Sequence, residues 1–337
     1  MSPDRNAQRI VIAGASSLLG NEVKTVLEEG RFAGWDLRLV DEELVAGTLT
    51  EASGEATLIQ KVEEDTFHGA RFAFLAGSTE FAKSCMSPAR ESGATIIDLS
   101  HASLSDPDAV PWFPKIELLT GKSIAKNAKT FSVFSAGGTA ISSLALALRS
   151  AGLQRFVGVM FQPVSEAGRA GIEELETQTS QLLSFQSIGQ QVFATQAAFN
   201  LLPRFGPESR QDLRSHLLQI RAEVSAAIGD TDDDAKIGLN LIHAPVFYGL
   251  TFSVCADVEG KTDGAALAET CRRAGFTLVE PADAAPSNVS VAGESGAFLR
   301  MPEGDATREG SWWFWGAADN LRLPASSAVK LAEWLEG

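Results

Sequence analysis

Tyrosine, histidine and cysteine are scarce in this chain of 337 residues, with one Tyr, four His and three Cys. The cysteines, Cys85, Cys255 and Cys271, are odd in number and far apart. That spacing excludes a disulfide framework or a cysteine metal cluster and suits a reducing compartment. His68, His101, His216 and His243 form no pair at metal-ligand spacing, so no metal is expected. Cations are also short: 28 Lys and Arg stand against 43 Asp and Glu, a net charge of −15. Such a surface repels nucleic acid and anionic lipid, and neither is expected as a partner. No window approaches the roughly 20 apolar residues of a membrane helix. The opening "MSPDRNAQRIVIAGAS" has no apolar run before its first strand, so no signal peptide is expected. A soluble, cytoplasmic protein is the expectation.

The length calls for two domains, and 45% hydrophobic residues supply their cores. "RIVIAGASSLLGNEVKTVLEEG" reads as a buried strand, a turn and an amphipathic helix. "WDLRLVDEE", "RFAFLAGS" and "ATIIDLS" continue the alternation, which predicts an α/β domain with a Rossmann-type, doubly wound parallel sheet. After about residue 135 the strands lengthen and partly alternate, as in "RFVGVMFQPVSEAG" and "GLTFSVCADVEG". Helical patterns at 168–183, 210–228 and 263–274 separate them, predicting an α+β domain on a mixed or antiparallel sheet. The aromatic run Trp312-Trp313-Phe314-Trp315 reads as a further strand, and the tail as a helix that returns to the first domain. The expected boundaries are 1–134 with 305–337 for the dinucleotide-binding domain and 135–304 for a dimerisation and substrate domain. "GDTDDDAK" at 229–236 reads as a solvated acidic loop.

Gly14-Ala15-Ser16-Ser17-Leu18-Leu19-Gly20 stands directly after the first strand and opens a helix, the place of a dinucleotide turn. Gly14 permits the tight turn, Gly20 permits close packing, and the helix N-terminus offers amides to a pyrophosphate. Ser17 stands where a second glycine is usual. Asp41, about twenty residues on, is placed to contact ribose hydroxyls and, with Glu42 and Glu43, to repel a 2′-phosphate. NAD or NADP is the expected cofactor, with NAD favoured. A solvated acidic loop is the other reading of these acids.

Several stretches together resemble the aspartate-semialdehyde dehydrogenase family. "GASSLLG" resembles its G-A-x-G-x-x-G turn, and "LAGSTEFAKS" resembles its S-A-G-G-S turn, which would place Ala76 and Gly77 along the cofactor. "QPVSEAGRAGIEEL", "AAFNLLPRFG", "HAPVFYG" and "AADNLRLPASSAVKLAE" follow further family segments in order, from residue 9 to residue 333. The resemblance implies cysteine-thiolate attack on an aldehyde, hydride transfer to NADP and release of an acyl phosphate. The family's nucleophile turn, N-P-x-C-S/T-T, aligns with "FSAGGTA" and puts Gly137 at the cysteine. The family's histidine base aligns with Leu250, its substrate-carboxylate arginine with His243, and its phosphate-site arginine with Leu104. Gln162 matches the active-site glutamine, Asn320 the asparagine near the nicotinamide, and Arg214 a substrate-binding lysine. Gln162 as a satisfied strand residue and Asn320 as a helix N-cap are equally open readings.

Glycine and leucine offer neither nucleophile nor base. Ser135 and Thr139 have no base identifiable in the sequence, and Cys255 in an apolar strand reads as a small hydrophobe. The chain is therefore expected to be a divergent family member, homodimeric through its second half and unable to perform the family reaction. Two alternative roles stay open: a non-catalytic nucleotide-binding or structural paralogue, alone or paired with an active homologue, and a different NAD-dependent reaction in the same cleft. A small-molecule ligand is an open partner.

Overall fold

A computed structural model describes residues 8–43, 47–52, 55–229, 236–260 and 263–337. The opening seven residues and most of the acidic run (230–235) lie outside the described residues. The chain divides into two units, one of residues 1–113, 123–134 and 324–337, the other of 114–122 and 135–323.

The first unit begins with β1 (Arg9–Ala13), α1 (Leu18–Glu29) and β2 (Asp36–Asp41). A small hairpin of β3 (Leu49–Ala52) and β4 (Glu55–Leu58) precedes β5 (Gln60–Lys61), β6 (Ala70–Leu75), α2 (Thr79–Glu91), β7 (Thr95–Asp98) and β8 (Val110–Trp112). The short α3 (Ile116–Thr120) belongs to the second unit, and β9 (Thr130–Val133) returns to the first. The sheet order is β5-β2-β1-β6-β7-β9-β8 with every pair parallel. Ile10 to Ala13 are fully buried, as the β-branched run requires of a central strand covered on both faces. β1 lies between β2 and β6, so the chain reverses its winding direction there, the switch point at whose carboxyl ends doubly wound sheets take their ligands.

The second unit contains α4 (Ala136–Arg149), β10 (Leu153–Gln162), a 3₁₀ turn (Val164–Ala167), α5 (Gly168–Leu183), α6 (Leu213–Ile228), β11 (Ile237–His243) and β12 (Leu250–Val258). It continues with α7 (Gly264–Arg273), β13 (Thr277–Val279), β14 (Ala297–Arg300), β15 (Glu303–Gly304) and β16 (Ser311–Ala318), and α8 (Arg322–Glu336) closes the chain. The sheet runs β11-β10-β12-β16-β14-β13 with both parallel and antiparallel pairs, the mixed sheet that the alternation predicts. α4 is buried from Ala136 to Leu148, which its small and apolar sequence allows on every side.

The boundary expected at 305 falls later. β16 pairs with β12 from Ser311 to Ala318, and those backbone hydrogen bonds hold the aromatic run in the second sheet. Only 324–337 returns to the first unit, while 114–122 joins the second.

Candidate functional site

Two glycine turns meet in the first unit. Gly14 has φ +89°, and a Cβ there would stand 2.1 Å from the Gly77 nitrogen. A Cβ on Gly20 would stand 2.1 Å from the Gly14 carbonyl oxygen. The turns after β1 and β6 are thus packed backbone to backbone, which only glycine permits. Ser17, in the place of the second glycine, caps α1: its Oγ accepts from Gly20 N at 2.8 Å and donates to the Ala76 carbonyl at 2.8 Å. Leu18 is the first residue of α1.

Asp41 ends β2 and is 6% exposed. One of its oxygens accepts from Ser16 N at 2.7 Å and Ser16 Oγ at 2.6 Å, and the other accepts from Glu42 N at 2.8 Å. The next residue, Glu42, is exposed and accepts from Ser78 Oγ at 2.8 Å, while Ser78 caps α2 by accepting from Phe81 N. Asp98 is fully buried and accepts from the amides and hydroxyls of both Ser100 and Ser103, shaping the loop that carries the half-buried Leu104.

In the second unit the turn at the start of α4 has a different content. Gly137 is buried, and a Cβ on it would meet Ile220 Cδ1 at 3.1 Å, Leu250 Cδ2 at 3.5 Å and Met160 Sδ at 3.5 Å. Apolar side chains therefore close on the point from which a nucleophile would extend. Ser135 caps the helix by accepting from Gly138 N at 3.0 Å, and its Oγ donates to Glu223 Oε2 at 2.6 Å. Glu223 Oε1 accepts from Ser135 N at 2.7 Å, and Glu223 itself is 1% exposed. A carboxylate is well placed here, because a helix N-terminus carries partial positive charge. It is also the base that the sequence did not reveal for Ser135. Both of its oxygens are engaged with that residue's amide and hydroxyl, so the pair serves as a cap. Thr139 Oγ1 is buried and makes no hydrogen bond among the described residues.

Gln162, 6% exposed at the end of β10, pairs its Nε2 with His216 Nδ1 of α6 at 3.0 Å. The sequence alone singles out neither His216 nor Glu223. With Ile220 they stand at i, i+4 and i+7 of one helix, a spacing that marks a single face. Arg214 lies two residues before His216, on another side of α6, and is exposed. His243 is 1% exposed, with Nε2 3.3 Å from the Ala197 carbonyl and its ring among Phe193 and Phe205. Burial pushes its pKa below the usual histidine value, which favours the neutral ring. Asn320, 5% exposed, accepts from Gly249 N and bonds Ser165 Oγ and Glu166 Oε1. The N-terminus of α8 is capped by Asp319, which accepts from Leu321 N and Arg322 N, so Asn320 is a loop brace and not that cap.

All three thiols are held in the protonated form. Burial pushes Cys85 up to about 11 and Cys271 up to about 12, and it raises Cys255 on β12 as well. Among the described residues no group of His, Cys, Asp or Glu could hold a metal ion, and no helix is long and apolar enough to cross a membrane.

Comparison with known proteins covers both units. Residues 9–120 match the family described as semialdehyde dehydrogenase, NAD binding domain, and residues 144–323 match semialdehyde dehydrogenase, dimerisation domain. The chain is similar to a USG-1 protein homolog of Azotobacter vinelandii, at 29% identity over 99% of this chain and 98% of the relative. It is 27% identical to an aspartate-semialdehyde dehydrogenase of Rickettsia bellii, over 97% of each chain. Among solved structures, a probable aspartate-semialdehyde dehydrogenase from Pseudomonas aeruginosa superposes with a TM-score of 0.85 at 25% identity, covering 98% of this chain and 99% of that one.

Proposed function

The chain belongs to the semialdehyde dehydrogenase family, and from that premise we propose a NAD(P)-binding member that does not perform the family's aldehyde chemistry. The observation that carries this is the filled space at Gly137, where atoms of Met160, Ile220 and Leu250 lie within 3.5 Å of the point a Cβ would occupy. Covalent catalysis needs a nucleophile with a base beside it. Position 137 supplies no side chain, and Leu250 has no proton to give or take. The hydroxyl–carboxylate pair of Ser135 and Glu223 is spent on capping α4. His243, buried among aromatic rings, is not disposed to hold a substrate carboxylate. Gln162 and Asn320 persist as members of hydrogen-bonded braces.

The first unit fits a dinucleotide. Gly14, Gly20 and Gly77 let the turns after β1 and β6 pack backbone to backbone at the carboxyl end of the sheet, with Ser16, Ser17, Leu18 and Ala76 beside them. Bound there, the nicotinamide ring would supply a hydride acceptor or donor. The acids at the end of β2 favour NAD over NADP, because a 2′-phosphate would meet their charge. The dimerisation-domain match supports a homodimer formed through the second unit, and three free cysteines with the acidic composition suit the cytoplasm.

The test is a spectrophotometric assay of NADPH or NADH formation from aspartate semialdehyde and phosphate, beside an authentic family enzyme. No turnover is expected, and Gly137→Cys alone should restore none, since position 250 still lacks a base. Wild-type turnover within about a hundredfold of the control would overturn the reading, because loss of nucleophile and base costs several orders of magnitude. A melting-temperature rise with NADH at saturating concentration tests the cofactor half, since ligand at 100 times Kd stabilises by about 2.7 kcal/mol.

A further inference from the structure

We propose that Glu42, and not Asp41, is the carboxylate that receives the adenosine ribose of NAD and sets the preference against a 2′-phosphate. The inference rests on the cofactor reading above and names the residue that decides it. Position along the sequence favours Asp41, which ends β2 about twenty residues after the glycine turn. Its hydrogen bonds tell against it. A carboxylate has about four acceptor sites, and three on Asp41 are taken by Ser16 N, Ser16 Oγ and Glu42 N. At 6% exposure it is a buried brace that ties the end of β2 to the turn before α1.

Glu42 is differently placed. It is exposed, and the one hydrogen bond of its carboxylate among the described residues is the contact from Ser78 Oγ. Ser78 follows β6, whereas Glu42 follows β2, and β1 lies between those strands. The Glu42–Ser78 contact therefore spans roughly two inter-strand spacings of about 4.8 Å each. The two side chains together thus bridge from the end of β2 to the end of β6, past the carboxyl end of β1. A dinucleotide bound at these carboxyl ends would compete with Ser78 for Glu42. Once released from Ser78, Glu42 has lone pairs to accept both ribose hydroxyls. A phosphate on the 2′ oxygen would replace a donor with negative charge beside this carboxylate and beside Asp41.

The test is titration of NADH and NADPH, by calorimetry, into the wild type, Glu42→Gln and Asp41→Asn. Because charge-assisted hydrogen bonds are the stronger ones, Glu42→Gln should weaken NADH about tenfold or more and shrink the NADH-to-NADPH affinity ratio by at least as much. Asp41→Asn should lower the melting temperature and weaken both cofactors in parallel, leaving the ratio in place. An unchanged ratio in Glu42→Gln, or a collapse of the ratio in Asp41→Asn alone, overturns the assignment while the cofactor reading stands. A wild type that binds neither cofactor overturns both.

Discussion

Gly138→Ala sets two physical effects against each other, and its sign tests the description of the α4 turn. An alanine in a helix is ordinarily favoured over glycine by up to about 1 kcal/mol. Here a Cβ would stand 1.9 Å from Glu223 Oε2 and 2.7 Å from its Cδ. The carboxylate has little freedom to move, being 1% exposed and bonded to Ser135 N and Ser135 Oγ. Overpacking costs about 1–3 kcal/mol, and displacing a hydrogen bond to a charged group costs about 1.5–3 kcal/mol more. The net expectation is about 2–4 kcal/mol of destabilisation, a fall in melting temperature of roughly 5–15 °C for a unit of this size. Glu223→Ala removes the obstacle at its own cost, and Gly138→Ala added in that background should be neutral or stabilising. The two changes should therefore couple by about 2 kcal/mol or more in a double-mutant cycle read by urea denaturation. A rise in melting temperature for Gly138→Ala in the wild type, or an equal cost in both backgrounds, would refute the reasoning. The outcome bears on function too, since the family's nucleophile turn carries serine or threonine at the position that aligns with Gly138.

Two further outcomes follow from burial. His243 has a depressed pKa, so below the unfolded value of about 6.5 the unfolded chain takes up its proton first. Stability from this group is complete above that pH and is lost as pH falls toward the folded pKa; the urea midpoint should drop between pH 7 and 5, and His243→Gln should flatten that drop, whereas an unchanged slope would count against a neutral buried ring. The thiols of Cys85 and Cys271, pushed up to about 11 and about 12, should resist iodoacetamide at neutral pH in the native protein and react once it is unfolded. Rapid native labelling of either, read by mass spectrometry, would show that these helices open readily.

Much of the architecture was legible because it rests on local rules. The β-branched run of β1 and the glycines at 14 and 20 announce a buried strand and a tight turn, and the helix at 168–183 is found at those limits. The second boundary was less legible, because the pairing that draws β16 into the second sheet joins residues more than fifty positions apart. The candidate site divides along the same line. Alignment with the family's segments marks Gly137 and Leu250 as single positions without a nucleophile or a base, but the residue type says nothing of what surrounds it. At Gly137 that is settled by Met160, Ile220 and Leu250, which arrive from other elements, while Glu223 reaches Ser135 from 88 positions away. Helical spacing of His216, Ile220 and Glu223 was the one available signal, and it required knowing which face of α6 turns inward. The distinction matters chemically. Even with open space at Gly137, a thiol introduced there would lack a base at position 250 and the two arginines that align with His243 and Leu104. With apolar groups against it and a carboxylate already seated at the helix N-terminus, a thiolate there would face a like charge and little water. Its pKa would rise, so restoring the cysteine restores the atom without restoring the nucleophile.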